Sequence, residues 1–104
     1  MTKVLLILLC NLVFSSGLTF SVVSESHRNN QPKIIQIYSK TEPPKLLRVE
    51  YYYEVGSIRK IENYKDSVLH DLLVEYDQMG RIQFKGYYEE GYFRGDTLKV
   101  FDDY

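Results

Sequence analysis

Three pairs of ionisable neighbours are the first places to look for chemistry in this 104-residue chain: His70-Asp71, Glu89-Glu90 and Asp102-Asp103. A histidine oriented by a carboxylate makes a general base, and two carboxylates across a cleft hydrolyse glycosidic bonds. Neither chemistry fits these positions. Neighbours on a strand point to opposite faces, and no motif sets a serine or cysteine nucleophile beside His70. Glu89-Glu90 falls at a turn and Asp102-Asp103 at the chain end, in a domain with little room for a water-excluded cleft. The other histidine, His27, lies in a polar stretch (SESHRNNQP), so a metal site lacks its second histidine or cysteine. Gly86, Gly91 and Gly95 do not lead into a helix as a phosphate cradle would. The expectation is a protein that is not an enzyme, with no catalytic residue, cofactor or metal.

Binding is the remaining chemistry, and tyrosine is the residue that could supply it. The chain has ten tyrosines and no tryptophan, with every tyrosine at or after Tyr38. Tyr51, Tyr53, Tyr76 and Tyr88 fall with the apolar positions of alternating stretches and are expected to be core. Tyr52, Tyr87 and Tyr92 are expected on the opposite face or at turns, which makes them the candidate partner-binding residues. Rigid amphipathic rings give contact area at low entropic cost and suit a protein partner, a glycan or a lipid headgroup; the plainer alternative is a few ordinary surface tyrosines. With 13 Lys+Arg against 14 Asp+Glu, the net charge of -1 leaves no electrostatic footprint for nucleic acid or an anionic membrane surface.

The elements that must carry these residues read as β throughout, with no helical period after residue 33. Lys33 to Tyr38 (KIIQIY) is rich in β-branched residues, and Pro43-Pro44 then keeps the following loop out of any ladder. Leu46 to Tyr53, Ile58 to Tyr64, Leu72 to Tyr76 and Ile82 to Tyr88 alternate, separated by turns at Glu54-Val55-Gly56, Lys65-Asp66-Ser67, Asp77-Gln78-Met79-Gly80 and Glu89-Glu90-Gly91. Leu98 and Val100 begin a last strand. Gly56, Ile58, Tyr64 and Ser67 match Gly80, Ile82, Tyr88 and Gly91 at an offset of 24, whereas Val49, Tyr51 and Tyr53 match Leu72, Val74 and Tyr76 at 23. The odd residue is expected to be absorbed in the turn. Self-similarity at this period means stacked units, each burying its face against its neighbours.

At these residues the chain resembles the bacterial variant of the MORN repeat. Tyr53-Glu54, Gly56, Tyr64-Lys65-Asp66 and His70 fit one unit, and Tyr76-Asp77, Gly80, Tyr88-Glu89-Glu90-Gly91 and Arg94-Gly95 fit the next. The repeat-defining positions are thus Tyr53, Gly56, Tyr64, Tyr76, Gly80, Tyr88 and Gly91, with a degenerate unit expected in Lys33 to Leu47 and a truncated one at the end. The sequence departs from the pattern at Ser67 and Asp71, where glycines are expected, and at Leu73, where many relatives carry tryptophan. The resemblance implies an all-β fold, a single twisted antiparallel sheet of about six strands built from consecutive hairpins. It also implies a binding or immunity-like role, since some relatives are described as antitoxin components.

The N-terminal segment reads differently. Lys3, the apolar run Val4 to Phe14 and the small residues Ser15-Ser16-Gly17 have the three-part layout of a secretory signal. Cleavage after Gly17, Ser21 or Ser24 fits, and Ser24 is preferred. The expected organisation is a signal peptide over 1–24, a flexible leader over 25–32 and a repeat domain over 33–104. Asn11 and the run of small polar residues dilute an anchor helix, so contact with a membrane is expected only if the segment stays uncleaved. Cys10 leaves with the signal, so stability must come without disulfides. The expected protein is exported to the periplasm, the cell envelope or the medium, and mediates protein-protein interaction or scaffolding. Its partner is unidentified, and self-association is expected through the sheet edges at Lys33 to Tyr38 or Leu98 to Phe101.

Overall fold

Short connections between alternating segments leave each strand its sequence neighbour as the natural pairing partner. The computed structural model, which describes residues 17–96, contains β1 Thr19–Ser26, β2 Pro32–Ser39, β3 Leu46–Tyr52, β4 Ile58–Lys65, β5 Val68–Tyr76, β6 Ile82–Glu89 and β7 Tyr92–Asp96. They form one antiparallel sheet in the order β1-β2-β3-β4-β5-β6-β7, with no helix among the described residues. The all-β sheet of consecutive hairpins expected from the sequence is the one observed. Two of its strands were not expected: β1, on the N-terminal side, and β7, which begins at Tyr92, ahead of the last strand read from Leu98 and Val100, positions outside the described residues.

Thr19 to Ser26 (TFSVVSES) is a full strand, paired with β2 from Thr19 opposite Ser39 to Ser26 opposite Pro32. The stretch assigned to a flexible leader, 25–32, therefore ends β1, turns, and begins β2. Val22, Val23 and Phe20 favour a pleated, half-buried surface as well as they suit the tail of an apolar leader, and the sequence alone does not separate the two. The ordered sheet accordingly begins before Lys33. As β2 is flanked by β1 and β3, the edge proposed at Lys33 to Tyr38 is interior; the one proposed at Leu98 to Phe101 lies outside the described residues, as do Asp102-Asp103.

Three hairpins share one turn. His27 N donates to Gln31 O (2.8 Å) and Asn30 N to His27 O (2.9 Å). Tyr53 N to Ser57 O and Gly56 N to Tyr53 O (both 2.9 Å) repeat the pattern, as do Asp77 N to Arg81 O (2.8 Å) and Gly80 N to Asp77 O (3.0 Å). Each is a three-residue loop whose last residue is left-handed: Asn30 at φ 71°, Gly56 at 103° and Gly80 at 90°. Glycine takes that conformation freely, and asparagine is one of the few other residues to tolerate it. Beyond each turn the second strand carries one extra residue, at Lys33, Arg59 and Gln83.

The second and third hairpins therefore correspond at an offset of 24 throughout. Val49, Tyr51, Tyr52 and Tyr53 superpose in role on Leu73, Glu75, Tyr76 and Asp77, judged by their pairing with Glu62, Lys60 and Ile58 and with Gly86, Phe84 and Ile82. The offset of 23 and the unequal turns read from the sequence are corrected: matching tyrosine to tyrosine slipped the strands by one. The preceding unit spans Thr19 to Ser39, not Lys33 to Leu47. At the opposite end, Asp66-Ser67 and Glu90-Gly91 make two-residue turns with both residues at positive φ, while Lys40 to Lys45 is a longer loop.

Directly paired residues share a face, which sorts the sheet into two surfaces. One face carries the row Val22, Gln36, Val49, Glu62, Leu73 and Gly86. The other carries Val23, Ile35, Glu50, Ile61, Val74 and Lys85. A single layer hides side chains only behind their neighbours in the sheet, so the buried apolar residues among those described are only Val49, Leu73 and Val74, and none is fully enclosed.

Gly86 is buried on the first face, where the rings of Phe84 and Phe93 stack over it with centroids 6.4 Å apart. A Cβ there would lie 2.8 Å from Phe84 Cζ and 3.0 Å from Phe93 Cε1. Aromatic cover of a strand glycine is a packing device that a larger residue breaks. Gly86→Val is expected to destabilise by about 2 kcal/mol through overpacking, read as a lower urea midpoint.

Candidate functional site

The three tyrosines expected to form a binding surface are not brought together. Tyr52 ends β3 half-buried, and its hydroxyl donates to Glu50 Oε1 (2.8 Å), a carboxylate also held by Arg48 (2.9 Å). Burial, and after it the bond to Glu50, pushes its phenol up to about 12. Tyr87 and Tyr92 lie on the β6–β7 hairpin, three strands away, and are 47% and 71% exposed. Phe93, exposed to 50%, pairs with Tyr88 and so lies on the other face, where it makes an edge contact with that ring at 5.5 Å.

His70 and Asp71 sit where β5 departs from regular pairing. Glu62 pairs with Leu73 and Tyr64 with Leu69, so β5 carries extra residues, and Asp71 takes φ 73°. His70 Nδ1 accepts weakly from Glu90 N at 3.5 Å, while Asp71 is exposed. No group of His, Cys, Asp or Glu suited to a metal ion occurs among the described residues.

The buried ionisable residue among those described was not singled out by the sequence. Glu62, 9% exposed, stands in the row between Val49 and Leu73. Its Oε1 accepts from the hydroxyls of Tyr51 (2.8 Å) and Tyr64 (2.9 Å), and Lys60 Nζ lies 3.4 Å from Oε2. Lys60 Nζ and Arg59 Cζ also lie 4.7 and 5.4 Å from the centroid of the Tyr51 ring, within cation-π range. Burial first, then the bond to Glu62, raises both phenols, Tyr64 to about 12 and Tyr51 further. Two phenols and an ammonium occupy this carboxylate, so its chemistry is to hold β3 and β4 together. A glutamate in an alternating strand reads as solvent-facing; its place between Lys60 and Tyr64, opposite Val49, is the signal that could have found it.

These phenols have a pH signature. The folded protein retains their protons above the ordinary tyrosine value near 10, so between about pH 10 and 12 it binds more protons than the unfolded chain. The contribution to stability is complete below pH 10 and is lost as pH rises through 12. Absorbance titration should show Tyr51, Tyr52 and Tyr64 ionising late and together with unfolding, and a normal titration of every tyrosine in the folded protein would contradict it.

The turns at one end of the sheet are stitched to each other. His27 Nε2 donates to Tyr52 O (2.9 Å) and Asn29 Nδ2 to Glu54 O (3.1 Å); one hairpin on, Tyr53 OH donates to Tyr76 O (2.7 Å). Asp77, at the third equivalent position, closes on its own loop instead. It accepts from Met79 N and Arg81 N, and Arg81 Nε lies 2.8 Å from Oδ2, contacts that hold its carboxyl below the usual range, the Arg81 backbone bond most of all.

On the second face, a shallow apolar depression is floored by Val23, Pro32, Ile35 and Ile37 and walled by Glu50 and Tyr52. Ser21 also lines it, with no histidine among the lining residues to activate that hydroxyl; the depression is open to solvent and can receive an apolar side chain. No helix among the described residues is long and apolar enough to cross a membrane. No family model matches the chain, and neither a curated protein nor a solved structure matches it.

Proposed function

We propose that this chain is a non-enzymatic, exported repeat module that binds another protein at the cell envelope or outside the cell. The observation that carries this reading is the single layer: the aliphatic face containing Val23, Ile35, Ile61 and Val74 has no second layer over it among the described residues. An extended apolar face with a few charges is the composition of a protein-binding surface. The likeness of Gly56, Tyr64, Gly80 and Tyr88 to MORN-type units supports the same role. The signal-like residues 1–17 support export, and processing after Gly17 leaves β1 whole, with Ser15 and Gly17 as the small residues such cleavage needs.

Crosslinking the full chain in its native cells, with mass spectrometry of the captured proteins and of the bait's N-terminus, tests the reading. The expected result is a specific protein whose capture is lost on Ile35→Lys and Ile37→Lys, on a bait beginning at Leu18. Capture unchanged by both substitutions would overturn the role of this face. A second reading, glycan binding, is favoured by the two exposed rings of Tyr87 and Tyr92, which share the second face; loss of a glycan ligand on Tyr92→Ala, with folding intact, would carry it.

A further inference from the structure

We infer that the outer edge of β1 is an interaction surface for a second copy of this chain, the two β1 strands pairing antiparallel about a two-fold axis through Val22. The inference rests on β1 surviving in the exported protein and is independent of what covers the sheet face. Among the described strands, β1 has β2 as its one neighbour. Lys40 N donates to Leu18 O (3.0 Å), and the pairing then runs without a break from Thr19 to Val23. In an antiparallel ladder the backbone groups alternate in direction, so Phe20 and Val22 turn theirs towards β2, and Ser21 and Val23 turn theirs outward.

Edges that must stay single carry lysine, proline, an inward charge or a bulge. From Phe20 to Val23 this edge has none of them; the first charge is Glu25, tied to Lys33 at 3.4 Å, and the pairing irregularity begins only after Val23. A second copy supplies a matching edge that is antiparallel by symmetry. With Val22 opposite its own counterpart, Ser21 of each copy meets Val23 of the other, and both outward pairs exchange N–H···O bonds. The same register sets the two Glu25 carboxylates at opposite ends of the junction, which removes the one charge conflict. An axis perpendicular to the sheet keeps the two faces in register, so the depressions floored by Val23 and Ile35 meet across the junction and bury more of both residues.

A non-hydrogen-bonded antiparallel pair brings its two Cα atoms to about 4.5 Å, within the span of a disulfide. The test uses the full chain with Cys10→Ser, exported by its native cells, and adds either Val22→Cys or Ser21→Cys. Under mild oxidation Val22→Cys should give a disulfide dimer on a non-reducing gel while Ser21→Cys, facing Val23 instead of itself, stays monomeric. Sedimentation of the chain without either cysteine should show a monomer-dimer equilibrium shifted to monomer by Ser21→Pro, which deletes an outward-facing N–H and leaves every donor that faces β2 in place. Equal crosslinking by both cysteines, a monomer at every concentration, or crosslinking of Val22→Cys to a different protein would each overturn the two-fold pairing.

Discussion

A chain beginning at Glu25 is expected to lose cooperative folding, whereas one beginning at Leu18 keeps it. The shorter chain lacks Thr19 to Ser24, and with them five of the seven residue pairs that β1 makes with β2. It also loses the stacking of Phe20 on Tyr38 at 5.4 Å and the partial burial of Val22 and Val23. Each half-buried apolar side chain is worth about 1 kcal/mol and each ladder bond a similar amount, so the three side chains and the four bonds at Phe20 and Val22 together lose about 7 kcal/mol. Against a total stability of about 5–10 kcal/mol for a domain this small, few molecules remain folded. Urea denaturation followed by circular dichroism reads the difference. Equal midpoints for the two chains would mean that β1 is an ornament to the sheet and would remove the argument for processing after Gly17.

Glu62→Leu is expected to destabilise by about 2–4 kcal/mol, well beyond any substitution at an exposed glutamate such as Glu89. The loss comes from what stays behind: the hydroxyls of Tyr51 and Tyr64 and the ammonium of Lys60 keep their half-buried positions without their acceptor. Glu62→Gln retains a carbonyl oxygen and should cost about 1 kcal/mol. Adding Tyr51→Phe and Tyr64→Phe to Glu62→Leu should recover part of the loss, because the orphaned hydroxyls go with it. Additive destabilisation across all three changes would show that the cluster does not act as a unit.

The difference between the legible and the illegible parts of this chain lies in residue identity against residue role. Gly56 and Gly80 announce their turns because glycine at that position is the common solution to a positive φ. Asn30 solves the same problem, and His27 reaches a carbonyl of the next hairpin as Tyr53 does, yet neither looks like its equivalent, so the first hairpin is invisible to a search for tyrosine and glycine. The same habit misaligned Tyr76 with Tyr53, where the pairing shows Tyr76 equivalent to Tyr52. Strand type was readable because alternation is local. Glu62 was not, because its acceptor role depends on two residues that only strand register and side-chain conformation bring to it. Tyr52 was placed on the correct face, but its hydroxyl is taken by Glu50, a contact two residues away that no pattern announces.

The recurrence of one extra residue at Lys33, Arg59 and Gln83 sets a metric on the molecule. Each lies two strands from the next, and adjacent strands are spaced about 4.8 Å apart, so long polar side chains are laid out at intervals of about 10 Å along one margin. Because every hairpin resets its register with the same irregularity, a whole unit can be inserted or removed without turning any neighbour inside out. The width of the sheet is therefore quantised: duplication of the residues from β5 to the start of β7 should lengthen it by one step of about 10 Å and leave both faces unchanged.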